Sequence, residues 1–235
     1  VITEESRKLE QFLAFRVHEK LMALKRMGQR WEAAGGTPEA SWRADARNYT
    51  EQLTGLRVVE WIDPTYHVRW AEPLAGNEKA IGLDIRFDEP RRKALEGAAE
   101  KKSITITPPL DLVQGYKAFI GYIPLYKGST FDGFIAGIFS TESLLKDMIG
   151  EEMKANYAIR ISYRGQQFFH NDATGTQGAG PWLVERPIQI HDKKWLLQIE
   201  PRRQFVRKQL TYMPVIVLVS GLLIGGLLSL TTRYV

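Results

Sequence analysis

The feature that most limits what this chain can fold into lies near its C-terminus. From Gln209 to Thr232 no side chain carries a charge, and Val215 to Leu230 is almost wholly aliphatic. Roughly 20 such residues are enough for a helix to cross the hydrocarbon core of a bilayer, whereas a helix packed on a soluble core keeps a polar face. The stretch is read as a transmembrane helix over 209–232. Tyr212 and Tyr234 stand near its ends, where amphipathic rings favour the interface, and Arg207, Lys208 and Arg233 lie close by. Pro214 falls in the first turns, where its missing N–H matters least. Gly221 and Gly225 have the spacing that lets two membrane helices approach, although glycine is common in such helices anyway. The basic group from Arg202 to Lys208 precedes the span. By the positive-inside rule it favours a cytoplasmic location for the globular part, but large domains cross membranes largely regardless of charge, so orientation stays open.

Everything before this segment has the composition of a folded protein. Over its 235 residues the chain is 25% charged and 44% hydrophobic, ordinary values for a globular chain with a sizeable core. The net charge of +5 is scattered apart from Arg91-Arg92-Lys93 and the group at 202–208, so the clustered basic face of a nucleic-acid binder is missing. There is no cysteine, which removes disulfides, thiolate metal sites and thiol nucleophiles. The chain opens on Val1 without a signal peptide, and the expectation is that the natural N-terminus lies upstream.

Residues Ile2 to Ala34 read as one long helix, ended by Gly35-Gly36. Leu13, Val17, Leu21 and Leu24 recur along it at spacings of 4, 4 and 3. This stripe is expected to join two copies of the chain, because a monomer would leave it partly exposed. Thr37 is expected to cap a second helix with Pro38 at its first position, Trp42, Ala46, Tyr49 and Leu53 on one face, and Gly55 at its end.

After Gly55 the periodicity changes. Leu56–Asp63 and His67–Glu72 read as a hairpin, Ile81–Phe87 as a short strand, Pro90–Lys101 as a helix, and Ser103–Thr107 as a β-branched run stopped by Pro108-Pro109. Gly115–Ile123 and Phe134–Ser140 are the longest strand candidates, and Thr141–Met153 reads as one helix. Tyr157–Tyr163 with Gln166–His170, and Trp182–Ile190 with Lys194–Pro201, form two further hairpins around a Gly- and Thr-rich loop at 172–180.

No catalytic motif stands out. His18, His67, His170 and His191 are not at metal-ligand spacing, and no nucleophile elbow, P-loop or dinucleotide fingerprint occurs. No catalytic residue, metal or cofactor is assigned, although dispersed carboxylates leave an enzyme open.

Several segments carry a resemblance. Glu60-Trp61-Ile62-Asp63-Pro64, Trp70, Gly76-Asn77-Glu78, Gly82-Leu83-Asp84, and Phe134-Ile135-Ala136-Gly137-Ile138-Phe139 followed by Glu142-Ser143-Leu144-Leu145 resemble the CHASE sensory domain family in order and spacing. The similarity runs from about Trp42 to Met153. It implies an α+β fold: a long N-terminal stalk helix (1–36), two PAS-like antiparallel-sheet modules in tandem (37–153, membrane-distal, and 154–203, membrane-proximal), and the C-terminal transmembrane helix. It also implies the extracytoplasmic, periplasmic sensor of a dimeric histidine kinase or diguanylate cyclase in the inner membrane, with a small-molecule ligand in the membrane-distal module. The alternative is a membrane-anchored protein-binding or scaffold domain.

In that resemblance the hydrogen-bonding threonine of the plant cytokinin receptors falls on Thr107, and a ligand-contacting leucine falls near Val113. Their acidic, adenine-pairing residue falls on Arg91, where no carboxylate stands, which points to an anionic or otherwise different ligand. Tyr116, Phe119, Tyr122 and Phe134, on the central strands, are expected to give the pocket its apolar walls.

Overall fold

The computed structural model describes residues 2–112, 114–171, 181–207, 218 and 220–224. Val113 and the loop at 172–180 lie outside the described residues. So does most of the expected membrane helix, of which only 218 and 220–224 are described, as helix. Among the described residues no helix is long and apolar enough to cross a membrane.

Helix α1 (Ile2–Ala33) runs 32 residues, about 48 Å at the usual rise. Helix α2 (Glu39–Gln52) follows. A larger antiparallel sheet is built from β1 (Leu56–Ile62), β2 (Val68–Glu72), β3 (Thr105–Ile106), β4 (Leu110–Asp111), β5 (Lys117–Lys127) and β6 (Thr130–Ser140), with strand order β2-β1-β6-β5-β3 and β4 also paired to β5. Helix α3 (Glu89–Lys101) crosses between β2 and β3. After α4 (Thr141–Met148) and α5 (Glu151–Asn156), a four-stranded sheet forms from β7 (Tyr157–Tyr163), β8 (Gln166–His170), β9 (Val184–Ile190) and β10 (Lys193–Pro201), in the order β8-β7-β10-β9. The expected α+β architecture with a long first helix and antiparallel sheets is therefore observed.

Strand alternation divides the larger sheet into two faces. Val59, Phe119, Ile123, Ile135 and Phe139 belong to a core shared with α1, α2 and the smaller sheet. Val58, Ile62, Ile120, Tyr122, Phe134, Ala136 and Ile138 belong to a second core shared with α3. Helix α1 lies close on the first face because two glycines pave it. Gly121 and Gly137 face each other across β5 and β6, and a Cβ on either would fall 2.3 Å from Leu21 Cδ2 or 2.2 Å from Leu24 Cδ1.

The stripe on α1 is thereby accounted for differently from expectation. Leu13, Val17, Leu21 and Leu24 are all buried within their own chain, so they are not the surface joining two copies. The helix also seats on the smaller sheet, where Arg186 Nε of β9 donates to Ser6 Oγ at 2.8 Å. The two sheets meet through Phe119, which stacks on Phe139 and meets Trp195 of β10 edge-on.

Other expectations are corrected locally. Pro38, not Thr37, is the N-cap of α2, since Trp42 N–H donates to the Pro38 carbonyl and no side chain caps this end. Residues Ile81–Phe87 are not a strand. Short 3-10 turns at Glu78–Ala80 and Ile85–Phe87 flank Gly82, whose φ is +81°, and the Asp84 carboxylate caps the second turn from Arg86 N–H at 2.9 Å. The single helix expected over Thr141–Met153 breaks into α4 and α5 at Ile149-Gly150, where extended backbone follows Met148.

A buried carboxylate ties α2 to the sheet edge. Glu72 on β2 accepts from Arg47 Nε at 2.9 Å and from an Arg43 guanidinium nitrogen at 3.4 Å, and Arg43 also donates to the Ala71 carbonyl. Because both arginines reach solvent, Glu72→Gln is expected to destabilise the chain by only about 1 kcal/mol. A urea midpoint that falls in low salt and falls less in high salt would bear this out; no change in either would place the tie elsewhere.

Candidate functional site

The second face of the larger sheet is not fully covered by α3. Between β1, β6 and β5 on one side and the turns at 76–87 on the other lies a cavity of about 540 Å³. Its floor follows from register. Val58, Ile138 and Ile120 form one row across β1, β6 and β5, and Glu60, Ala136 and Tyr122 form the next. Small neighbours on both sides of Glu60, Ala71 on β2 and Ala136 on β6, leave its side chain room above the sheet.

The wall opposite is held by local hydrogen bonds. Gly76 N–H donates to the Glu78 carboxylate at 3.1 Å, Asn77 Nδ2 donates to the Pro73 carbonyl at 3.0 Å, and Gln114 Nε2 reaches Asn77 Oδ1 at 3.4 Å across the mouth. Phe87 and Arg91 close the α3 end. The Asp88 carboxylate caps α3 by accepting the Arg91 backbone N–H at 3.2 Å, and the Arg91 guanidinium lies over the Phe87 ring at 5.6 Å.

Glu60 is the unusual group. It is 9% exposed, lines the cavity, and has no hydrogen-bond partner among the described residues. Burial pushes its carboxyl up to about 7, and the positive charge of Arg91 only partly opposes the shift. Burial likewise raises the phenols of Tyr116 and Tyr122, Arg91 acting against it at Tyr122. Arg91 has an 18% exposed side chain, and its nearest carboxylate is Asp88 at 3.8 Å, too long for a good hydrogen bond. A titratable carboxyl and a guanidinium thus line one cavity with no ion pair between them among the described residues.

Of the residues singled out in the sequence, Arg91 and Tyr116 line this cavity. Tyr122 and Phe134 are on the same face but buried in the core beneath it. Thr107 is buried beside β5, where its hydroxyl accepts the Ile120 N–H at 3.0 Å, so it braces the floor. Phe119 points to the opposite face, against Trp195 and Phe139. Val113 lies outside the described residues. Glu60 is not among the site residues expected from the sequence, where its signal is a charge on the strand phase otherwise held by Val58 and Ile62.

A larger groove, about 710 Å³, runs between α1 and the end of β5. Its carboxylate, Glu32, already accepts the Tyr126 N–H at 3.0 Å, and it offers no comparable unmet group.

The long helix and the two antiparallel sheets have a PAS-like arrangement. The chain belongs to the CHASE domain family, whose model matches residues 3–175. No curated protein sequence matches it. Among solved structures it is similar to the ligand-binding domain of the Pseudomonas fluorescens chemoreceptor CtaA in complex with L-alanine, at 13% identity and TM-score 0.61, over 86% of this chain and 96% of that one. It is also similar to that of the Pseudomonas aeruginosa amino acid chemoreceptor PctB in complex with L-Gln, at 15% identity and TM-score 0.58, over 92% and 97%. An extracellular ligand binding receptor from Desulfohalobium retbaense matches at 15% identity and TM-score 0.59 over 82% of this chain, which spans 40% of that receptor.

Proposed function

We propose that this chain is the extracytoplasmic, ligand-sensing part of a transmembrane receptor, and that it binds a small polar metabolite in the cavity above β1, β6 and β5. The single observation that carries the reading is Glu60: a carboxyl only 9% exposed, over an apolar floor, that lines the cavity and has no protein hydrogen-bond partner among the described residues, so that it is open to a polar ligand. The neighbouring chemoreceptor domains, crystallised with amino acids, support a ligand of comparable size.

In this proposal the uncharged segment 209–232 crosses the inner membrane and joins the sensor to a histidine kinase or diguanylate cyclase output. A homodimer would use the outward side of α1, where Phe12 and Phe15 are exposed, since the leucine stripe is occupied inside the chain. Ligand would act by favouring one arrangement of the sheets on α1, and only differential affinity for two arrangements can do so.

The test is a thermal-shift and calorimetric screen of small polar metabolites against the full chain, repeated on Ala80→Trp. Ala80 sits in the turn roofing the cavity, so a tryptophan there can fill the space without rebuilding the sheet. A ligand at about 100 times its Kd should stabilise the wild type by about 2.7 kcal/mol and leave the variant unmoved. Equal binding to both would place the ligand elsewhere.

A further inference from the structure

We propose that the cavity selects a zwitterion, with Glu60 receiving a protonated amine and Arg91 receiving the anionic group of the same molecule. This rests on the ligand-sensing reading and narrows it to a chemical class. The argument is geometric. Both side chains line one cavity, both are largely withdrawn from water, and no ion pair forms between them among the described residues. A titratable carboxyl and a guanidinium lining one low-dielectric space, with no ion pair between them, are best satisfied together by a molecule that brings an ammonium to the first and an anionic group to the second. A simple anion would answer Arg91 and take only a hydrogen bond from the protonated form of Glu60, and a simple cation would answer Glu60 and give Arg91 nothing.

The surrounding groups do not compete for the role. Tyr116 and Tyr122 remain neutral phenols, and Asp88 is engaged in capping α3. Glu78 is held by the Gly76 N–H, and Lys79 belongs to the exposed turn at the mouth. Arg57, the remaining charge near Tyr116, points outward from β1 toward Ser143, whose hydroxyl its guanidinium contacts at 2.6 Å.

Binding then moves a proton. In the empty cavity near neutral pH much of Glu60 is the neutral acid. When the ligand's ammonium docks, Glu60 loses its proton to solvent and becomes the carboxylate partner, while the ammonium keeps all of its own protons. Affinity should therefore weaken about tenfold between pH 8 and pH 6.

The probes are the L-amino acids and γ-aminobutyrate and, for each that binds, the analogue lacking the amine and the amine lacking the carboxylate, titrated calorimetrically into the full chain. The expected result is an amino acid that binds, a des-amino analogue that does not, and proton release at pH 6 seen as a buffer-dependent heat. Glu60→Gln should lower affinity at least thirtyfold or so at pH 8 and flatten the pH profile, as loss of a charge-assisted bond requires. Arg91→Gln should erase only the advantage of the amino acid over its parent amine. Thermal melting of both variants reports folding separately. Unchanged binding and pH profile in Glu60→Gln, or equal binding of the des-amino analogue, overturns the proposal. A non-amine metabolite whose binding Ala80→Trp abolishes would sink the zwitterion and leave the sensing function standing. If no metabolite of any class binds, both fall.

Discussion

Gly137→Val is expected to destabilise the chain by about 3 kcal/mol and to lower Tm by roughly 6–12 °C. Valine suits a strand, so the backbone should tolerate it. The difficulty is space: a Cβ at this position would stand 2.2 Å from Leu24 Cδ1, 3.1 Å from Phe139 Cε2 and 3.3 Å from Leu56 Cδ1. A leucine tip on a surface could swing away, but Leu24 is wholly buried. Relief has to come from α1 lifting off the sheet, which would open the contact at Leu21 and Gly121 as well. Combining Gly137→Val with Leu24→Ala should therefore cost clearly less than the sum of the two single changes, with a coupling of 1 kcal/mol or more. Strict additivity in urea unfolding would show that the glycine pair does not seat the helix.

The second large effect is a dependence on pH without ligand. In the unfolded chain Glu60 titrates near its ordinary 4.5, and in the folded chain near 7. Below pH 4.5 it is protonated in both states and imposes no penalty. As pH rises toward 7 the unfolded state sheds its proton first, so the folded state loses stability; by pH 8 the loss is about 3 kcal/mol. Glu60→Gln removes that loss while retaining a buried polar amide, so the variant should be more stable than wild type by about 2–3 kcal/mol at pH 8 and nearly equal to it at pH 4. The comparison is one of urea curves for both proteins at the two pH values. Parallel pH dependences would mean that Glu60 is not a buried acid. A sensor whose empty site is destabilised in this way gains stability when the ligand arrives, the usual exchange of stability for function at a binding site.

Much of the fold could be read from local pattern. The 4, 4, 3 spacing on α1 marked a helix because its apolar residues must share one side, and β7 and β8 emerged within the bounds expected of them because Arg164-Gly165 is a strong turn signal between alternating runs. Where expectation failed, a local bond had outweighed composition. Ile81–Phe87 has the β-branched and aromatic content of a strand, yet the positive φ of Gly82 and the capping carboxylate of Asp84 turn it into the cavity wall. At Gly150 extended backbone interrupts what periodicity alone would continue.

The sequence by itself determined the long first helix, the two groups of antiparallel strands, the family resemblance, and an alternation along β5 whose two phases the expected pocket had merged. It could not determine which phase meets a helix and which meets a cavity. Only the tertiary structure decided that, because a strand's alternation is symmetric until something packs against one side. Here the deciding contact is α1, whose Leu21 and Leu24 enter the space above Gly121 and Gly137. Phe119 was committed to that face and to the smaller sheet, and Val58, Glu60 and Ile138 were left facing the open one. Arg91 reached the same cavity only because the Asp88 cap fixed where α3 begins.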